Sequence, residues 1–211
     1  MFIYCSFSAW IWGKFMQKQF YPVIGMEKAL PFYIVGIGVN CWQFPVSRPE
    51  GYDYPQLFIC LEGEGEITVD GKTVKVVPDS IFYIPPHCPH EYRATTHSWY
   101  LDWVCFDGKQ SLELLKEWDL NRFHFFLDCG SERMHKLFDT AYYTIKSDKV
   151  YGNYYASAQL YDMLLEYRKL ADDKFPYKSR VNSDAVAKVM KYTEENYSKS
   201  IKLADMAAVA G

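Results

Sequence analysis

Residues 48–108 read RPEGYDYPQLFICLEGEGEITVDGKTVKVVPDSIFYIPPHCPHEYRATTHSWYLDWVCFDG. Short apolar runs are separated by Gly, Pro and Asp. Leu57–Leu61 leads into Glu62-Gly63-Glu64-Gly65, and Glu66–Val69 into Asp70-Gly71. An Asp-Gly pair closes a two-residue hairpin because both residues tolerate positive φ. Lys72–Val77 precedes a Pro78-Asp79 turn, Ile81–Ile84 precedes the Pro85-Pro86 break, and His90–Arg93 and Ser98–Phe106 follow. Strands this short, closely spaced and without helical periodicity, predict an antiparallel β-barrel or sandwich with an interior.

On Ser98–Phe106, alternation places Trp99, Leu101, Trp103 and Cys105 on one face and Tyr100, Asp102 and Val104 on the other. The first set is the expected interior face. Upstream, Phe32–Val39 (FYIVGIGV) also reads as a strand, its glycines suiting a bend or bulge, and Cys41–Val46 is expected to continue it. Residues 1–19 are expected to be an N-terminal extension or an arm packing on the barrel. Met1–Gly13 lacks a basic leader region, and its apolar run is shorter than the roughly 18 residues of a spanning helix.

Beyond Gly108 the apolar period changes from two to 3.6. Gln110–Trp118 reads as a short helix and Phe123–Leu127 as a short extended piece. Met134, Leu137, Phe138, Ala141 and Ile145 form one helical stripe; a second helix, about Tyr154 to Ala171, carries Leu160, Met163, Leu164 and Tyr167. Either stripe can pack on the outside of the barrel. Residues 172–181 read as a charged linker; after it, Ser183 is placed to cap a helix with Val186, Val189, Met190 and Thr193 on one face.

Composition narrows the function classes. Formal net charge is −3, so the chain carries no overall basic footprint for nucleic acid. Aromatic residues make up 18% of the chain, which suits either a small-molecule pocket or a large aromatic core. The 6 cysteines include no C-x-x-C pair, and a reduced, cytoplasmic protein is the simplest expectation.

EGEGEITVDG followed by DSIFYIPPHCPH resembles the two halves of a cupin. Together with His90-Glu91-Tyr92 and the run WYLDWVCFDG it resembles, more narrowly, the sensor domain of AraC/XylS-type transcriptional regulators. The resemblance implies a fold that is mainly β with C-terminal helices: a cupin-like antiparallel β-barrel over residues 20–130, a helical dimerisation region over 131–171 and the start of a DNA-binding domain over 182–211. In that domain the turn Glu195–Ser198 precedes the first helix of a helix-turn-helix, with Met206-Ala207 where the family usually has Leu-Ala. Lys202 stands where Ser or Thr commonly caps. The groove-reading helix would follow Gly211, so DNA binding is expected only of a longer chain carrying the complete helix-turn-helix domain. Within 182–211 the lysines 188, 191, 199 and 202 are matched by acids at 184, 194, 195 and 205, which leaves little to neutralise phosphates.

Metal-dependent cupins take two His and a carboxylate from the first motif and one His from the second. Here the first-motif His positions fall on Glu50 and Tyr52, or on Pro49 and Gly51, and the carboxylate position falls on Gln56. Of the set only His90 remains. One imidazole does not hold a catalytic metal. The expectation is therefore a sensor rather than an enzyme, without a cofactor; a metal-dependent cupin enzyme and a ligand-free interaction module are the alternatives.

The family's arabinose-binding member implies a carbohydrate effector. By that likeness Arg48 falls on its sugar-binding arginine, Tyr92 on a pocket tyrosine and Trp103 on the stacking tryptophan, while Leu101 replaces a pocket histidine. Each has a plainer alternative. Trp103 can be core alone, Arg48 a surface residue before a turn, and His90 a loop-bonded imidazole. Leu160, Met163, Leu164 and Tyr167 are the expected homodimer contacts, since the resembled regulators dimerise through helices in this place. No membrane association is expected.

Overall fold

The computed structural model describes residues 18–174, 179–197 and 199–210. The extension expected over 1–19 lies outside these residues as far as 17. Lys18 and Gln19 already belong to a strand. The chain divides into two compact units, one ending at Arg168 and one beginning at Lys169.

The first unit is built on eight antiparallel strands: β1 (Lys18–Phe20), β2 (Tyr33–Trp42), β3 (Val46–Arg48), β4 (Gln56–Val69), β5 (Lys72–Val76), β6 (Ile81–Ile84), β7 (His90–Asp107) and β8 (His124–Phe126). Strand order is β1-β2-β7-β4-β6-β8, with β3 added to β7 and β5 to β4. Two long strands therefore organise everything. β4 pairs with β7 from Gln56↔Cys105 to Val69↔His90, with register shifts between Cys60 and Gly65.

Glu62-Gly63-Glu64-Gly65 is consequently not a turn, as its composition suggests, but a bulged bend inside β4. Gly63 takes φ +75, and a Cβ there would run into the carbonyl of Ser98. Likewise His90–Arg93 and Ser98–Phe106 are one 18-residue strand rather than two. Past this bend β4 and β7 pair with β5 and β3; before it, with β6 and β2. Side chains from both halves meet in one interior of Phe58, Cys60, Ile67, Val69, Phe82, Tyr92 and Trp99, consistent with a cupin-like fold. The hairpin at Asp70-Gly71 has φ +50 and +70, as a two-residue turn of this kind requires. β2 ends at Trp42, so Gln43–Pro45 is loop and does not continue the strand.

Helices α1 (Ser111–Glu117), α2 (Glu132–Ser147) and α3 (Gly152–Lys174) follow. The apolar stripe of α2 is buried at Met134, Phe138, Ala141 and Ile145. Its first turn is held from outside. Asp79, at φ +64 in the turn before β6, accepts the N–H groups of Gly130 and Ser131 (2.9 Å each) and the Ser131 hydroxyl. Burial works against the Asp79 charge, but these bonds and nearby His135 hold its carboxyl below the usual range. One turn on, His135 Nδ1 meets Asp102 Oδ2 at 3.0 Å, and the other carboxylate oxygen accepts the Asn40 N–H at 2.7 Å. Helix α2 is thus riveted to the outer face of β7, directly behind the interior position of Trp103.

On α3, Asn153 pairs with both backbone groups of Ile34 (3.1 and 3.0 Å) and the Ser157 hydroxyl donates to the Phe32 carbonyl. This satisfies β2 beside its bulge between Ile34 and Gly36. Leu160, Met163, Leu164 and Tyr167 are all buried within the chain, Tyr167 lying against Tyr83 and Phe126. The dimerisation role expected of these four does not fit their position, because their surface is already covered by the protomer's own core.

In the second unit, α4 (Ser179–Asn196) packs with α5 (Leu203–Ala210). The expected linker over 172–181 is crossed by α3 as far as Lys174 and by α4 from Ser179; residues 175–178 lie outside the described set. Ser183 lies inside α4, so it does not cap it. Lys202 precedes α5, and its N–H is accepted by Asp205 Oδ2 at 2.9 Å, the return half of a capping box. No helix of the described residues is long and apolar enough to cross a membrane.

Candidate ligand-binding cavity

Three strand segments converge on one cavity of about 180 Å³ inside the barrel. Arg48 comes from the end of β3, Tyr92 from the start of β7 and Trp103 from its far half, and all three line it. An apolar cavity of roughly 150 Å³ takes one benzene ring, so the space matches a single six-membered ring.

Trp103 is part of both the core and the cavity wall. It belongs to the buried interior cluster, at 7% exposure, and its ring faces the cavity. Its position follows from glycine. Gly38 is its direct partner across β2–β7, and with no side chain there the indole folds over the strand. Gly36 serves the neighbouring ring, since a Cβ on it would stand 2.8 Å from Tyr21 and 3.3 Å from Trp103. Tyr21 meets Trp103 with centroids 5.6 Å apart at 40°. The glycines read as a bend or bulge signal therefore also make room for the cavity's aromatic wall.

Arg48 is half-buried and engaged by its neighbours. Its Nη1 donates to Gln56 Oε1 at 2.7 Å, and its guanidinium lies 4.3 Å over the Tyr52 ring. Gln56 in turn donates to Cys105 Sγ at 3.4 Å. Burial pushes the Cys105 thiol up to about 12 and the Tyr92 phenol up to about 12, with Arg48 opposing both. At neutral pH both are protonated.

His90 and Leu101 do not line this cavity. Leu101 is wholly buried in the interior cluster. His90 is buried beside it, Nδ1 2.7 Å from the Cys88 carbonyl and its ring stacked on Tyr92 at 6.1 Å, while Nε2 has no partner. Burial lowers its pKa. Among the described residues no cluster of His, Cys, Asp or Glu could hold a metal.

Sequence reading missed Gln19, Tyr21, Trp42, Gln43, Tyr52 and Gln56 as cavity residues. Gln56 carried a signal, since it occupies the motif's carboxylate position. Tyr21 and Trp42 carried none, because they reach the cavity from a loop and a strand end.

The AraC-like ligand-binding domain model matches residues 32–164, more than half of the chain. The chain therefore belongs to the AraC-like ligand-binding domain family, that of AraC-type transcriptional regulators. A segment of 41 residues is 42% identical to an HTH-type transcriptional regulator of Bacillus subtilis strain 168, YobQ; the match spans 19% of this chain and 17% of that protein. Among solved structures, a cupin superfamily protein from Desulfitobacterium hafniense DCB-2 is similar at 21% identity, covering 42% of this chain and 76% of that one with a TM-score of 0.31. A Cupin 2 conserved barrel domain protein from Salinispora arenicola CNS-205 is similar at 16% identity over 48% and 83%, with a TM-score of 0.33.

Proposed function

We propose that the barrel senses a small ring-shaped molecule, a sugar or close relative, and that its occupation controls a dimeric cytoplasmic regulator without any catalytic step. The supporting observation is the convergence of Arg48, Tyr92 and Trp103 on one ring-sized cavity in which Gln56 stands at the position of a metal-binding carboxylate. An indole face, a guanidinium and phenols are the groups that hold a polar ring.

Dimerisation belongs, in this reading, to the opposite side of α3 from the buried stripe. Tyr154, Tyr155, Tyr161 and Leu165 are exposed there, with Tyr151 just before them. DNA contact belongs to a longer chain that completes the helix-turn-helix after α5. Occupation of the cavity changes the regulator only through different affinity for two arrangements of the dimer.

The test is a thermal-shift screen against sugars and small glycosides. A bound ring at 100 times its dissociation constant adds about 2.7 kcal/mol, a rise of several degrees. The rise should vanish in Trp103→Ala. Stabilisation by a divalent metal that a chelator reverses, with no response to any sugar, would overturn the sensor reading in favour of a metal-dependent enzyme.

A further inference from the structure

Resting on that sensor reading, the charge balance of the cavity carries the identity of the ligand further. Among the described lining residues Arg48 is the one charged side chain, and no carboxylate accompanies it. Its partners, the Gln56 amide and the Tyr52 ring, are neutral. The bond to Gln56 uses one of five guanidinium N–H donors. A half-buried cation facing a cavity without an anion is an incomplete pair.

We propose that the effector is a ring monocarboxylate of the sugar-acid class, a hexuronate, whose carboxylate completes that pair on Arg48. Guanidinium and carboxylate match as a planar fork, which gives orientation as well as attraction. The ring then lies within reach of the Trp103 face, and Tyr92, Gln19 and Gln43 supply polar groups for its hydroxyls. An aromatic acid would satisfy Arg48 but make no use of the Tyr92 hydroxyl or the Gln19 amide beside it. A neutral sugar would use those groups but leave the charge unmatched.

The electrostatics of the wall agree with this. Burial raises the phenols of Tyr21, Tyr52 and Tyr92, and in all three the charge on Arg48 opposes that rise.

The experiment uses the full chain and matched pairs at equal concentration and ionic strength: glucuronate with glucose, galacturonate with galactose, benzoate with benzyl alcohol. A uronate is expected to raise the melting temperature by several degrees where its neutral twin does not. Arg48→Gln should weaken that binding by about ten- to a hundredfold, the loss expected of one charged hydrogen-bonded pair. Titration of the unmodified protein at rising salt gives a second readout should Arg48→Gln fail to fold, and affinity should fall with salt. Response to glucose or galactose alone would overturn the proposal and leave the sensor reading standing. Response to benzoate alone would replace the sugar acid by an aromatic one. No response to any acid would overturn the carboxylate itself.

Discussion

Replacing Gly38 by Ala tests the account of the aromatic wall. A methyl built on Gly38 would lie closer to Nε1 and Cε2 of Trp103 than non-bonded atoms approach, and 2.8 Å from Cys41 Sγ. Carbon atoms prefer about 3.5–4.0 Å, so the indole must retreat by roughly an ångström or the strands must part. The ring has little room, with the neighbouring Gly36 backbone on one side and Tyr21 5.6 Å away. Overpacking of this kind costs about 1–3 kcal/mol, bounded above by the roughly 3–5 kcal/mol of deleting a buried Trp outright. At 2–4 °C per kcal/mol for a chain of this size, a central value of about 2 kcal/mol lowers the melting temperature by about 4–8 °C. Urea unfolding followed by circular dichroism measures the loss. In a Trp103→Ala background most of the Gly38→Ala cost should disappear, a coupling of about 1 kcal/mol or more. An undiminished cost in that background would refute the reasoning, because the strain would then not arise from the indole.

Two further outcomes follow from burial. Leu164→Glu should unfold the first unit, since it places an unpaired charge in a core position, whereas Leu165→Glu, on the exposed face, should keep the fold and lower the sedimenting mass of a dimer; the opposite pattern would restore the buried stripe as the interface. Burial also raises the thiols of Cys41 and Cys60 to about 11 and of Cys105 to about 12, against about 8.5 in an unfolded chain. The native state then keeps protons that the unfolded state releases, so stability is intact below about pH 8.5 and falls as pH rises from there toward about 11–12. A urea midpoint unchanged between about pH 8 and pH 10.5 would contradict this burial.

Local chemistry explains which features could be read in advance. Ile81–Ile84 and the Asp70-Gly71 hairpin were legible because their signals, a bounded apolar run and a pair suited to positive φ, are complete within a few residues. Arg48, Tyr92 and Trp103 were singled out by the resemblance to the family's arabinose-binding member, and β3 and β7 bring them to one cavity. Gly63 misled the reading. A positive-φ glycine serves a turn or a bulge equally well, and only the pairing of β4 with β7 on both sides of it decides which.

By itself, the sequence determined the class: a mainly β chain with C-terminal helices, a degenerate metal motif, and an interior face carrying Trp99, Leu101, Trp103 and Cys105. Tertiary structure decided what each surface is for. The stripe Leu160, Met163, Leu164 and Tyr167 is the same pattern whether a helix buries it in its own protomer or in a partner. It is the contact with Tyr83 and Phe126 that assigns it inward. The link from Asp79 through Ser131 and His135 to Asp102 joins residues from three separate segments. Periodicity describes one element at a time, and contacts between elements exist only once the chain has folded.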